Sequence, residues 1–209
     1  MKFIRPLLNG LVAAAAAALL VSGCATAPHA TEQQAHDALK ASFAARGQAG
    51  LDRLEQDDLQ KTCSYGPGAA PSKEAQAAIE KAQLAMIRYP ADGKLLGDWR
   101  AGERIAQSGV GKQYSDDPSR PAGANCYACH QITPQEISYG TIGPSLLGYG
   151  KLRGNTEAIQ RYTYGKIYNS NAYAACSNMP RFGQQHILTE QQMKDVTALL
   201  LDPNSPVNK

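Results

Sequence analysis

The chain has 209 residues and a formal net charge of +3, with 43% hydrophobic and 7% aromatic residues. So small a net charge gives no indication of nucleic-acid binding, and it falls by two if Lys2 and Arg5 leave with a leader peptide. The aromatic content is low for a core of this size. We therefore expect a group other than aromatic side chains to supply part of the buried apolar surface.

Residues 1–23 are predicted to be a signal peptide. Two basic residues precede an apolar run at 7–21 that is too short, and too soon followed by small residues, for a membrane-spanning helix. The run ends in Val-Ser-Gly-Cys24, which is similar to the lipobox of bacterial lipoproteins and predicts lipidation of Cys24. The alternative is ordinary cleavage at Ala-Thr-Ala, residues 25–27. In either case the mature chain is predicted to lie in the periplasm, and a lipid would tether it to a membrane.

Residues 24–93 are predicted to form a tether followed by a mostly helical extension. Alanine-rich composition predicts two helices within 31–60, and prolines and glycines predict a loop at 63–71. Ser72 then caps a third helix that continues to about Arg88. This half shows no chemistry of its own, so we expect it to pack across the following domain or against a partner.

The second predicted domain, residues 94–209, contains the motif Cys-Tyr-Ala-Cys-His at 126–130. Two thiols at this spacing can form thioethers with the two vinyl groups of one haem, and the adjacent histidine can bind the iron. A zinc site would need a second ligand pair at similar spacing, and a thioredoxin-like pair would need a βαβ context; the sequence has neither. The motif therefore predicts one covalently attached haem c, held by Cys126 and Cys129, with His130 as an iron ligand.

The segment Ile142–Gly148 follows the motif and contains Pro144. Proline holds a fixed turn and leaves carbonyl groups available to accept hydrogen bonds. A carbonyl that accepts from Nδ1 of His130 would fix the tautomer and strengthen the imidazole as a donor to iron. We expect Leu146 to press on the haem face. The alternative interpretation is a simple surface turn.

Met179 is the candidate for the second iron ligand. It lies in a loop and is followed by proline, whereas Met86 and Met193 lie in helical patterns where core packing is the default. A methionine paired with histidine favours ferrous iron and raises the reduction potential. The alternatives are His186 and Cys176.

Local signals predict three helices in this domain. Asp98 can cap a helix that contains Gly102, a second helix ends near Tyr168, and Thr189 and Gln192 have capping-box spacing at the start of a terminal helix. We expect the terminal helix to pack across the helix that contains Gly102, where the missing side chain permits close approach.

Two of the five cysteines remain once Cys24, Cys126 and Cys129 are assigned. These are Cys63 and Cys176, and an oxidising compartment would let them form a disulfide. The main alternative is Cys176 as a free thiol near the iron.

In order and spacing these features resemble a class I cytochrome c, which implies an all-α monohaem domain with the helical extension attached. Over Gly140–Asn208 the chain is more closely similar to SoxX, the smaller haem subunit of the sulfur-oxidation cytochrome SoxXA. The stretches that carry this resemblance are Gly140–Leu146, Tyr168-Asn169, Asn171–Tyr173, Cys176–Gly183, Leu201–Asn208 and, in the extension, Lys61–Pro67.

The resemblance implies a periplasmic heterodimer with SoxA, a dihaem or monohaem subunit that carries the reactive haem with its cysteine ligand. The complex is an L-cysteine S-thiosulfotransferase that joins thiosulfate to a cysteine of the carrier protein SoxYZ and releases two electrons. This chain would have no catalytic residue of its own; it would accept those electrons and pass them to a downstream cytochrome c. The alternatives are a freestanding periplasmic electron carrier of a respiratory chain and, less favoured, a catalytic chain in which Cys176 binds the iron.

Overall fold

A computed structural model describes residues 30–64 and 70–209 of the chain. The predicted signal peptide, the lipidation site Cys24, most of the tether and the segment 65–69 lie outside the described residues. The described residues divide into two compact units, and the boundary lies between Phe43 and Ala44.

The described residues are helical, which confirms the predicted fold class. They contain one isolated β-bridge, between Arg46 and Ala49, and no strand. The α-helices are α1 (Glu32–Ser42), α2 (Asp58–Cys63), α3 (Lys73–Ala85), α4 (Trp99–Gln107), α5 (Tyr149–Arg153), α6 (Glu157–Tyr168) and α7 (Glu190–Leu201). Short 3-10 turns cover Leu51–Leu54, Cys126–Ala128, Ser170–Ala172 and Pro206–Asn208.

Within the first unit, α1 begins at a complete capping box. The Thr31 hydroxyl accepts from the backbone N–H of Gln34, and the Gln34 side chain accepts from the backbone N–H of Thr31. In the ranges 30–64 and 70–209, no helix is long and apolar enough to cross a membrane.

The extension is less helical than its alanine-rich sequence predicts. Gly47 and Gly50 separate two helical parts, as predicted, and Gly47 has a left-handed φ of 50°. Of the second predicted helix, which would follow Gly50 and end at Gln60, only the last three residues are α-helical. They begin α2 after its cap at Asp57, whereas Leu51–Leu54 form a 3-10 turn. Ser72 caps α3 as predicted, and the helix ends at Ala85, just before the Tyr89-Pro90 pair. Residues 44–93 belong to the same compact unit as 94–209.

The contact between α4 and α7 forms the centre of the second unit. A side chain at Gly102 on α4 would collide with the backbone carbonyl of Asp195 on α7, so the two helices meet at the distance that only glycine permits. The Asp195 carboxylate also accepts from the backbone N–H of Asp98 at 2.9 Å, directly before α4. The predicted packing of the terminal helix across Gly102 is therefore confirmed.

Helix α7 divides the buried core into two clusters, which lie along its length. The first cluster consists of Leu95, Tyr164, Ile167, Tyr168, Phe182, Leu188, Met193 and Val196. The second consists of Ala106, Tyr127, Ile132, Tyr149, Leu199, Leu200, Leu201 and Val207. Both clusters are continuous with the loops that carry the candidate haem residues.

We expect Gly102→Ala to lower the free energy of unfolding by about 1–3 kcal/mol, because the new methyl group forces α4 and α7 apart. Denaturant unfolding of the haem-loaded protein measures this change. Gly109→Ala is the matched control, since a side chain there would meet only the Asn125 amide at 3.3 Å. Equal stability of the two variants would contradict the close helix contact.

Candidate haem site

The Cys-Tyr-Ala-Cys-His motif forms one tight turn. Asn125 precedes it in the left-handed conformation, with φ of 47°, and residues 126–128 form a 3-10 turn. The carbonyl of Cys126 accepts from the N–H groups of Cys129 (3.1 Å) and His130 (2.9 Å). The turn therefore brings two thiols and one imidazole into a single short segment.

Neither thiol of the motif is in a disulfide, and both cysteines are half-buried. Burial raises the pKa of the Cys126 thiol to about 12. This environment suits a thioether, which carries no ionisable proton.

The imidazole of His130 is oriented by the loop that follows the motif. Its Nδ1 lies 2.7 Å from the carbonyl oxygen of Pro144. Because a carbonyl can only accept, Nδ1 carries the hydrogen and Nε2 is the nitrogen with the lone pair that a metal ion needs. A side chain at Gly143 would collide with the imidazole ring, so the backbone passes directly against it.

Backbone hydrogen bonds attach this loop to the motif. The N–H of Gly143 donates to the carbonyl of Cys129 at 2.8 Å, and the N–H of Leu146 donates to Gln131 at 2.7 Å. Leu146 is half-buried and packs against the second core cluster, as does Cys126. The segment is thus more than a surface turn, since its backbone positions the imidazole.

Met179 lies in a loop whose backbone is held by two serines. Its N–H donates to the hydroxyl of Ser177 at 3.2 Å, and its carbonyl accepts from the hydroxyl of the fully buried Ser170. The side chain is half-buried and packs against the first core cluster. Sequence reasoning missed Ser170, because nothing in the local pattern shows that its hydroxyl reaches nine residues ahead.

The alternatives to Met179 lie in different environments. Cys176 forms a disulfide with Cys63, so it presents no free thiol. His186 is exposed at a turn with a left-handed φ of 51°. Met193 is buried in the first core cluster, and Met86 ends α3 with 46% of its surface exposed. These positions leave Met179 as the candidate sulfur ligand in the described part of the chain.

Hydrogen bonds of Tyr127, within the motif, are a second feature that the sequence did not predict. The Tyr127 hydroxyl lies 2.8 Å from a carboxylate oxygen of Glu103 on α4 and 3.0 Å from the hydroxyl of Thr133. Burial is the main reason that the pKa of Tyr127 is raised, so the hydroxyl stays protonated and donates. Glu103 lies 24 residues earlier in the chain, and no local signal connects it to the motif.

The residues present fit a covalently bound haem. Two unpaired thiols and an imidazole with a satisfied Nδ1 form the donor set on one side, and a loop methionine provides a thioether. Ile137 and Ile142 follow the motif and are 89% and 78% exposed. Apolar side chains this exposed provide a surface that a large apolar group can cover.

Comparisons with known proteins agree with this geometry. The family described as "Cytochrome c" matches residues 101–202. An "Uncharacterized lipoprotein" from Aquifex aeolicus (strain VF5) is 42% identical over 157 residues, which cover 74% of this chain and 73% of the relative. The family match contains the motif turn, the Pro144 segment and the Met179 loop.

Replacement of Met179 by alanine tests its assignment as a ligand. We expect Met179→Ala to retain the attached haem, to lower its reduction potential by on the order of 100 mV, and to let imidazole bind the iron. Redox titration and optical spectra measure these changes. Met86→Ala is the matched control, since that side chain follows the last residue of α3 and is 46% exposed. An unchanged potential in Met179→Ala would rule out Met179.

Proposed function

Because this chain belongs to the cytochrome c family and carries covalently bound haem c, we propose that it is the electron-transfer subunit of a SoxXA-type complex. The haem supplies one-electron redox chemistry. In this proposal Cys126 and Cys129 would form the two thioethers, and His130 and Met179 would bind the iron.

The protein's own residues would make this a site for electron transfer rather than substrate binding. The Pro144 carbonyl orients His130, and Ser170 and Ser177 hold the backbone of Met179. With both residues as ligands, the iron would have no open coordination position for a substrate. Retention of both ligands in the two oxidation states would favour electron transfer.

One observation supports the specific assignment to a SoxX subunit. The disulfide between Cys63 and Cys176 connects the two parts of the chain that resemble that family, the segment that begins at Lys61 and the stretch Cys176–Gly183. A minimal electron carrier needs neither the extension nor this connection. The extension is therefore better explained in a subunit than in a freestanding carrier.

In the proposed reaction a sulfur–sulfur bond forms between the outer sulfur of thiosulfate and a cysteine of the SoxYZ carrier. The carrier thiol loses its proton and the new bond releases two electrons. A SoxA-type partner subunit carries out this bond formation at its own haem. This chain receives the electrons one at a time and passes them to a downstream cytochrome c.

We place the protein in the periplasm, tethered through a lipid on Cys24. The sequence that precedes Cys24 is similar to a lipobox, and the relative from Aquifex aeolicus is named a lipoprotein. Attachment at Cys24 would leave the haem-binding part of the chain outside the cytoplasm.

Mass spectrometry of the carrier protein tests this function. A SoxYZ-type carrier is incubated with thiosulfate, a SoxA-type subunit and an electron acceptor, with or without the haem-loaded chain. We expect a thiosulfate-sized adduct on the carrier cysteine that depends on this chain. Cys126→Ala/Cys129→Ala protein, which cannot form the thioethers, is the control and should not support the adduct.

The contrary result would be an adduct that forms equally well without the chain, while its haem still exchanges electrons readily. That outcome would favour the second candidate function, a freestanding periplasmic electron carrier.

A further inference from the structure

The extension is bonded to the loop that carries Met179 at several points. We define the Met179 loop as residues 169–181. Helix α2 is attached to this loop at both ends: Asp57, its N-cap, accepts from the Arg181 guanidinium at 2.7 Å, and Cys63, its last residue, forms the disulfide with Cys176. A helix attached at both ends constrains the loop more than either bond alone.

Helix α3 contributes two further bonds. The carboxylate of Glu80 accepts from the backbone N–H of Ala175 at 3.0 Å. The Gln83 side-chain carbonyl accepts from the fully buried amide of Asn169 at 2.9 Å. The extension thus holds the loop at its start, at its middle and at its end.

The bonds lie close to Met179 on both sides in the chain. Cys176 precedes Met179 by three residues, and Arg181 follows it by two. Arg181 is only 8% exposed, whereas the side chain of Asp57 is 40% exposed, so their ion pair is partly shielded from water. Movement of Met179 away from its position would have to break or stretch these bonds.

Cys176 has an uncommon backbone conformation. Its φ of 58° lies in the left-handed region, which residues with a side chain rarely adopt. Such a conformation persists where the surrounding structure imposes it. The disulfide to Cys63 and the adjacent bond from Ala175 to Glu80 provide that constraint.

We propose that the extension is a clamp that holds Met179 on the haem iron, with Asp57, Cys63 and Glu80 as positioning residues. The inference rests on the proposed function, because it takes Met179 to be the ligand. An external ligand such as imidazole binds only when the loop has released the iron, so its apparent affinity measures the open fraction. Loss of a clamp bond raises that fraction while Met179 itself is unchanged.

Three variants test the clamp in the haem-loaded protein. Asp57→Asn keeps one side-chain oxygen to cap α2 and places an NH2 group, which cannot accept a hydrogen bond, opposite Arg181. Glu80→Ala removes the acceptor for Ala175, and Glu80→Gln keeps an amide oxygen there and should restore the bond. Cys63→Ser/Cys176→Ser removes the disulfide. If the last variant fails to fold, the first two still decide the question.

We expect Asp57→Asn and Glu80→Ala each to raise the affinity of the ferric protein for imidazole by about tenfold, the effect of losing one charged hydrogen bond. Glu80→Gln should stay close to the parent protein. Hydrogen exchange at the amides of 174–181 should become faster in the same variants.

Asp92→Asn is the matched control, since it breaks an ion pair with Lys194 (3.3 Å) outside the Met179 loop. We expect Asp92→Asn to leave the imidazole affinity unchanged, even if the variant is less stable to unfolding.

The outcomes separate the clamp from the proposed function. Unchanged imidazole affinity in Asp57→Asn and Glu80→Ala, together with a large increase in Met179→Ala, would overturn the clamp and leave Met179 as the ligand. No increase in Met179→Ala would remove the ligand assignment itself. An equal increase in Asp92→Asn would show a general loss of stability, which also contradicts the clamp.

Discussion

Both candidate iron ligands lie outside the α-helices, so each depends on the contacts that fix its own loop. Helices hold their residues through internal hydrogen bonds, whereas a loop residue is held only by what surrounds it. His130 is fixed by the Pro144 carbonyl and by a backbone that passes against its ring. Met179 is fixed by Ser170, by Ser177 and, through its neighbours, by the extension. Much of the remaining structure can be understood as the support for these two loops.

The helical frame provides that support from the interior. The contact of α4 with α7 at Gly102 joins two core clusters, one of which packs against Met179 and the other against Cys126 and Leu146. Helix α7 therefore connects the two loops that carry the candidate ligands.

Local sequence signals predict the parts of the fold that depend on local bonds. The caps at Ser72, Asp98 and Thr189 are present because each cap joins residues at most three positions apart. The haem motif is equally local, since its two cysteines and its histidine lie within one turn. The contact of His130 with Pro144 could be predicted as well, because proline restricts the loop to few conformations.

Features that join distant parts of the chain could not be predicted in the same way. The hydrogen bonds of Glu103 with Tyr127 and of Asp57 with Arg181 join residues far apart in the chain. No local sequence pattern predicts either of them. The disulfide was one of two possibilities, because counting cysteines does not show which of them meet in space. The second helix expected in the extension forms only at its end, because α2 begins at its cap Asp57 and a 3-10 turn stands before it.

Proton NMR of the reduced holoprotein with labelled methionine methyl groups tests whether Met179 binds the haem iron. A methyl group held against the haem face is shifted far upfield by the ring current of the macrocycle. We expect one methionine methyl resonance in that region, assigned to Met179, while those of Met86 and Met193 remain outside it. A Met179 methyl resonance at an ordinary position would show that Met179 does not bind the iron.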